Sequence, residues 1–286
     1  MLNSRGGIET DLTVTRVAPD RYLLVTGTAF GQHDLGWLRK HLPADGGVLL
    51  NDITSGRVCF GLWGPAARDL LAPLSTDNLS NEAFPFMTAR AITVGRVPVY
   101  ALRVTYVGEL GWELYAHAEF GGVLWDTLWE AGREHGLVAA GYRAIDALRL
   151  EKGYRVWSSD ITPDENPYEA GLGFAVRLDK ETEFIGRDAL VAAKAAGADR
   201  RLRCLLLDEP LAVCLGNEPV RVGGAVVGRV TSGGQGYAVE RSIAYAYLPA
   251  NAGVGTRGEV AVFGEWVGFE VFREPLYDPA GERVRS

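Results

Sequence analysis

The run Tyr106-Val107-Gly108-Glu109-Leu110-Gly111-Trp112-Glu113-Leu114 constrains what this chain can fold into more than any other stretch. A strand-like segment, Tyr100 to Tyr106, ends in Gly-Glu-Leu-Gly, and a second, Trp112 to Ala116, begins at once. Glycines on both sides of Glu109 let the backbone reverse tightly without side-chain clashes. A turn built this way joins antiparallel strands and leaves one carboxylate little room to move. Two readings of Glu109 stand on the residues alone. It is a solvated glutamate at a hairpin tip, the commonest fate of such a residue. Alternatively, it is a buried carboxylate accepting two parallel N–H bonds, the geometry a guanidinium or the 2-amino edge of a pterin offers.

The rest of the chain alternates in the same manner. Asp11 to Val17 has the period of a strand, Ala18-Pro19-Asp20 is a turn, and Arg21 to Thr26 reads as the return strand. Leu35, Leu38 and Leu42 mark a helix over 33–42. Val48 to Ile53, Val58 to Trp63, Arg90 to Val97 and Val99 to Tyr106 read as strands, and Gly64-Pro65 opens a helix with proline in its first turn. Phe120 to His135 is amphipathic, with Val123, Leu124, Leu128 and Ala131 inward and Gly136 as its stop. Trp125 and Trp129 on that helix read as core. Ala144 to Gly153 and Arg187 to Ala196 are further helices. Strand pairs followed by helices indicate an α+β domain, antiparallel sheets with helices on one face.

After about residue 200 short β-branched runs alternate with Gly, Pro and Asn turns, spacing that suits a small barrel or sandwich. The small, polar stretch Lys194 to Arg201 is the expected boundary, giving domains 1–195 and 196–286. Gly223-Gly224 and Gly-Gly-Gln-Gly at 233–236 open no helix and carry no Walker lysine, so they read as hairpin turns.

Bulk properties narrow the function classes. At 286 residues there is chain enough for two packed cores. A net charge of −7 with no dense Lys/Arg block argues against nucleic acid as a partner. No apolar stretch approaches the roughly 20 residues a bilayer span needs, so no membrane association is expected. Three cysteines, an odd number without a CxxC pair, point to a reduced cytoplasmic location. His33, His41, His117 and His135 lack ligand spacing, and no metal site is expected. There is no GxSxG nucleophile and no GxGxxG dinucleotide fingerprint, hence no expected FAD site.

Three further charged groups are candidates for chemistry. Asp11 follows Gly6-Gly7-Ile8-Glu9-Thr10 and opens a strand, where most aspartates are turn formers but a few hold a carboxylate at a cleft rim. Arg143, Asp146 and Arg149 sit three apart on one helix face. Spacing favours intrahelical ion pairs of about 0.2–0.5 kcal/mol each. The other reading sets an arginine near the helix start against a ligand carboxylate.

Taken in order, these segments resemble the glycine-cleavage T-protein (aminomethyltransferase) family, in the variant fused to dimethylglycine and sarcosine dehydrogenases or oxidases. The pieces are Met1-Leu2-Asn3 with Gly6-Gly7-Ile8 and Asp11 to Val14; Trp63-Gly64-Pro65; Tyr106 to Leu114; Gly141 to Gly153; Asn166 to Gly173; Phe184 to Arg187; Thr231 to Gly234; and Tyr277-Asp278-Pro279. Each is weak alone, and the ordered set spans essentially the whole chain. The resemblance implies a folate-binding domain followed by a C-terminal β-barrel. It makes Asp11 the catalytic carboxylate facing the reactive nitrogens of tetrahydrofolate, and Glu109 the residue that grips the pterin. Arg143 then contacts the folate, Tyr106 lies beside it, and Tyr277 helps close the site.

The activity implied is tetrahydrofolate-dependent transfer of an aminomethyl or methylene carbon from an N-methyl or aminomethyl donor, with a flavoprotein subunit as a possible partner. Two alternatives stay open: a folate-binding subunit or fragment of a split oxidase without turnover, and a folate-dependent O- or S-demethylase. The sequence departs from the family in three ways. It begins later than the family domain, with the opening segment that forms part of the sheet absent. It shows no GxGxxG, so no flavin-binding domain is expected in these residues. It also has Glu9-Thr10-Asp11 where T-proteins proper show paired aspartates, which leans toward the demethylating branch.

Overall fold

The computed structural model describes residues 1–286. The chain forms two compact units, one of residues 12–142 with 280–286, the other of residues 1–11 with 143–279.

In the first unit, β1 (Leu12–Ala18) and β2 (Arg21–Thr26) form the expected hairpin, Leu12 opposite Thr26, as a two-stranded sheet. Helix α1 (Gly31–Lys40) follows. The strand expected over Val48 to Ile53 does not form; the segment is irregular and Leu49 is 86% exposed. Its apolar residues Val48, Leu49, Leu50 and Ile53 suit a pleated surface, but no other strand pairs with it, and an isolated strand leaves its N–H and C=O groups to water.

A second sheet is built from β3 (Arg57–Trp63), β4 (Ala89–Val94), β5 (Val97–Leu102) and β6 (Gly111–His117), antiparallel in the order β3-β6-β5-β4. The short helix α2 (Ala67–Leu71) starts two residues beyond Pro65, slightly later than the Gly-Pro signal suggests. Alternate residues of the sheet, among them Val97, Val99, Trp112 and Leu114, bury one face against Leu124 and Leu128 of α3 (Gly121–Gly132). Each such leucine contributes roughly 1.5–3 kcal/mol through burial. Gly136, at φ +68°, ends the helical segment as expected. Two details differ. Val123 points outward, and Trp125 is partly exposed, its ring stacked on Trp129 at 5.6 Å and lying 5.7 Å from Phe60. The pair flanks the core rather than filling it.

In the second unit, α4 (Tyr142–Lys152) and α5 (Arg187–Ala196) precede six strands: β7 (Arg200–Leu207), β8 (Pro219–Val222), β9 (Ala225–Gly236), β10 (Arg241–Pro249), β11 (Arg257–Val262) and β12 (Glu265–Phe272). They close into a barrel in the order β10-β7-β12-β11-β8-β9, which leaves no exposed edge. Leu205, Val220, Val230, Ala246, Val260 and Phe269 fill its interior. Gly223-Gly224 is the two-residue turn its sequence announces, with φ of +59° and +82°. Gly-Gly-Gln-Gly at 233–236 is not a turn: it lies inside β9, with Gly233 opposite Ala244. A Cβ at Gly233 would come within 2.7 Å of the Cys214 Cβ, and one at Gly236 within 2.6 Å of the Ile243 side chain. These glycines permit close approach between neighbours rather than reversal of the chain.

The last residues, 280–286, pack with the four-stranded-sheet unit. They form one turn, α6 (Glu282–Arg285), and bury Val284.

Candidate functional site

Glu109 sits on a loop rather than at a hairpin tip. Strand β5 stops at Leu102, and residues 103–110 are irregular, so the tight reversal expected from Gly-Glu-Leu-Gly is an eight-residue excursion. Thr105 organises it: its hydroxyl oxygen accepts from the backbone N–H groups of Val107 and Gly108 at 3.1 Å and Glu109 at 3.3 Å. The Trp63 indole N–H donates to the Val104 carbonyl at 3.0 Å, and the Gly64 N–H to that of Leu110 at 2.9 Å. Gly108 holds φ +79°, and a Cβ at Gly111 would lie 2.1 Å from the Leu62 carbonyl oxygen. Both glycines are therefore required, one for conformation and one for space.

The carboxylate so placed is largely buried, its side chain 15% exposed, and Arg283 Nη1 lies 3.5 Å from its Oε1. Tyr106, half-buried, belongs to the same loop. The adjoining residue-286 end is clasped by two arginines. Arg103, fully buried, donates from Nη2 to the Ser286 main-chain oxygen at 2.6 Å and from Nη1 to the Phe84 carbonyl at 2.6 Å. Arg68 Nη2 donates to the same Ser286 oxygen at 2.9 Å. Both guanidiniums lie against the buried Trp112 ring, at 5.8 and 5.7 Å. Burial, and then the neighbouring Arg68 charge, push the Arg103 guanidinium down to about 10.

On β6 the Tyr115 hydroxyl donates to Glu113 Oε2 at 2.6 Å. Burial raises the Glu113 carboxyl above its ordinary range, and the same surroundings push the Cys59 thiol up to about 11.

The other unit carries Asp11, Arg143 and Tyr277. The stretch before Asp11 is pinned by backbone bonds, Met1 N to Thr10 O at 2.7 Å and Glu9 N to Met1 O at 3.0 Å, and by the Trp157 indole donating to the Ile8 carbonyl at 3.1 Å. The glycine pair ahead of it serves packing: a Cβ at Gly7 would meet the Pro163 carbonyl oxygen at 1.9 Å. Asp11 immediately precedes β1 with its side chain open to water. Desolvation by the surrounding protein nevertheless raises its carboxyl from the ordinary value, and the charge at the amino end acts in the opposite sense.

The two arginines of α4 separate cleanly. Arg149 is buried and donates from Nη1 to Asp160 Oδ2 at 3.0 Å and to the Ser232 hydroxyl at 3.2 Å. Arg143, in the first turn, is exposed. The Arg143–Asp146 ion pair that spacing favours is absent, since Asp146 lies 3.9 Å from Arg149 instead. Tyr277 is half-buried, its N–H donating to the Glu151 carbonyl at 3.1 Å, next to the buried Lys152–Asp278 pair at 2.8 Å. No group of three His, Cys, Asp or Glu side chains is placed to hold a metal ion.

Sequence reasoning missed Arg68, Arg103 and Arg283. Arg103 could have been found: a single charge inside the apolar run Tyr100 to Tyr106 has to be either a buried, bonded group or an edge. Arg283 gave no signal, because its relation to Glu109 spans 174 residues.

A carboxylate-bearing loop on a four-stranded antiparallel sheet, in one chain with a closed six-stranded barrel, defines a class of α+β proteins with a C-terminal barrel. Family models agree: that of the GCVT N-terminal domain matches residues 1–180, and that of the glycine cleavage T-protein C-terminal barrel domain matches residues 200–278. The chain belongs to the glycine-cleavage T-protein family. It is 39% identical over its whole length to mitochondrial dimethylglycine dehydrogenase of Homo sapiens, of which it spans 34%. It is 38% identical over 97% of its length to an aminomethyltransferase of Symbiobacterium thermophilum, of which it spans 75%. The crystal structure of the glycine cleavage system aminomethyltransferase T from Bartonella henselae superposes with a TM-score of 0.83 at 28% identity, covering 98% of this chain and 75% of that one. The chain thus spans about a third of the length of the dehydrogenase it matches.

Proposed function

We propose that this chain is a tetrahydrofolate-dependent one-carbon transfer module that accepts a methylene-level carbon from an N-methyl or aminomethyl donor. The observation that carries the reading is the Glu109 loop: a rigid, largely buried carboxylate that already faces a forked N–H donor, the Arg283 guanidinium. A pterin presents a similar fork through its 2-amino group and adjacent ring N–H, so the residue present fits the group the family implies.

When bound, tetrahydrofolate supplies the nitrogens that capture the carbon. Glu109 fixes the pterin by accepting from its amide edge. The Asp11 carboxylate would stabilise developing positive charge and take the proton lost from nitrogen. Arg143, exposed and without an ion pair, offers its fork to the glutamyl carboxylates. On this reading Tyr106 would lie beside the pterin, Tyr277 would help close the site, and residues 1–195 would be the folate-binding part of the chain. A flavoprotein unit would oxidise the amine donor, and an N-methylated glycine is the first donor to try, given what the human relative is named for.

Titration calorimetry with tetrahydrofolate tests the reading. The unmodified chain should bind it, and Glu109→Gln should weaken binding roughly ten- to hundredfold, the range expected for hydrogen bonds to a charged group. Equal affinities would remove Glu109 from the site. Methylenetetrahydrofolate formed from formaldehyde separates a transferase from a binding subunit, and a panel of O- and S-methyl donors separates it from a demethylase.

A further inference from the structure

Arg283 stands where a Glu109 ligand would have to stand. Its guanidinium is a planar N–C–N donor fork, as is the 2-amino-4-oxo edge of a pterin, and it approaches the carboxylate oxygen Oε1 itself. Two features show how the arginine is delivered. The segment 280–286 is anchored at its far end by Arg103 and Arg68, both donating to the Ser286 oxygen, and by burial of Val284. Just ahead of these anchors Arg283 remains 51% exposed, 3.5 Å from Glu109. That distance exceeds the 2.7–2.9 Å typical of a tight charge-assisted bond by more than half an ångström. Because the segment is anchored at Val284 and Ser286, the Arg283–Glu109 contact can open without the segment leaving.

We propose that Arg283 is a displaceable internal occupant of the Glu109 site, so that a pterin-edge ligand binds by exchanging with its guanidinium. The inference rests on the reading of Glu109 given above. It adds a competitor within the same chain, and the competition is selective. A ligand that takes Glu109 must displace Arg283; a ligand that does not use Glu109 feels no competition. Removing the arginine therefore tightens the first kind alone, by the factor the pair had withheld. An ion pair half open to water withholds little, about two- to fivefold. The exchange also replaces a charged donor by a neutral one. Salt screens the ion pair far more than it weakens a neutral hydrogen bond, so the competitor fades as ionic strength rises.

The probe is 6-methyltetrahydropterin, which has the 2-amino edge and no glutamyl tail to complicate the salt dependence. Its dissociation constant is measured by calorimetry for the unmodified chain, Arg283→Ala, Arg283→Lys and Glu109→Gln, at low and high salt, with the 2-desamino analogue as control. Arg283→Ala should bind the pterin about two- to fivefold more tightly and the 2-desamino analogue equally. Affinity of the unmodified chain should rise with salt, and Arg283→Ala should lose that rise. Arg283→Lys, a charge without the fork, should fall between them. If Glu109→Gln binds the pterin as the unmodified chain does, the assignment of Glu109 itself is overturned. If Glu109→Gln weakens binding while Arg283→Ala leaves it unchanged or weakens it too, only the displacement is overturned. In the weakening case Arg283 orients Glu109 for the ligand instead of competing with it.

Discussion

Two arginine–carboxylate pairs in this protein differ in spacing, in burial and in how many partners the carboxylate keeps. Arg149 and Asp160 are 6% and 0% exposed, and Asp160 is saturated: it accepts from Arg149, from the Val156 N–H at 3.1 Å, and from the Thr231 and Ser232 hydroxyls at 2.6 and 2.7 Å. That network also takes in β10, since the Tyr247 hydroxyl donates to the Asp160 carbonyl at 2.7 Å. Arg283 and Glu109, by contrast, meet at 3.5 Å with the arginine half exposed. A saturated buried pair joins elements and has no capacity left for a ligand. A loose pair at a rigid loop can exchange partners. The arginines of α4 repeat the lesson within one helix: Arg149 is spent on the fold, whereas Arg143 is left to solvent.

The largest effect should come from breaking the saturated pair. Arg149→Met strands the Asp160 carboxylate in a buried site and should cost about 3–5 kcal/mol in denaturant unfolding. A loss under 1 kcal/mol would mean that Asp160 is held by its hydroxyl partners alone, and the contrast with Glu109 would weaken. Next comes Asp11→Asn, which should abolish most carbon transfer while tetrahydrofolate affinity stays within about twofold; retained turnover would take Asp11 out of the mechanism.

The pH behaviour of Asp11 sharpens the same test. Its carboxyl is raised in the folded chain, so its contribution to stability is full below the ordinary carboxylate value of about 3.9 and declines as pH rises through the raised value. If Asp11 acts in its ionised form as proposed, transfer should switch on over that same higher window. Asparagine should remove the decline in stability, and an acid limb centred at or below 3.9 would contradict the shift. The smallest effect belongs to Arg143→Ala. It should leave stability within about 0.5 kcal/mol, as for other exposed side chains. Affinity for polyglutamylated folate should fall a few-fold, and at least as much as for the monoglutamate. A loss of fold would move Arg143 to the structural side of the comparison.

Much of the fold was legible before any coordinates. The β1–β2 hairpin, α5 and the strand-rich C-terminal third follow from period-two alternation, helical spacing and turn residues, which are local properties. The misreadings share one cause. Val48 to Ile53 has strand composition without a partner to pair with, and Gly-Gly-Gln-Gly at 233–236 has turn composition with neighbours that need the space. In both, distant residues decided what local preference left undetermined.

The candidate site divides the same way. Sequence by itself determined that a carboxylate would be presented between two glycines at 109, that an aspartate would lead the strand after residue 10, and that a helix near 143–149 would carry two arginines, because these depend on neighbours a few positions away. Only tertiary structure decided that Arg149 is consumed by Asp160, that Arg143 is not, and that an arginine 174 residues away reaches Glu109. The reason is physical: hydrogen bonds and ion pairs depend on distance in space, and only a folded chain converts remote sequence positions into neighbours.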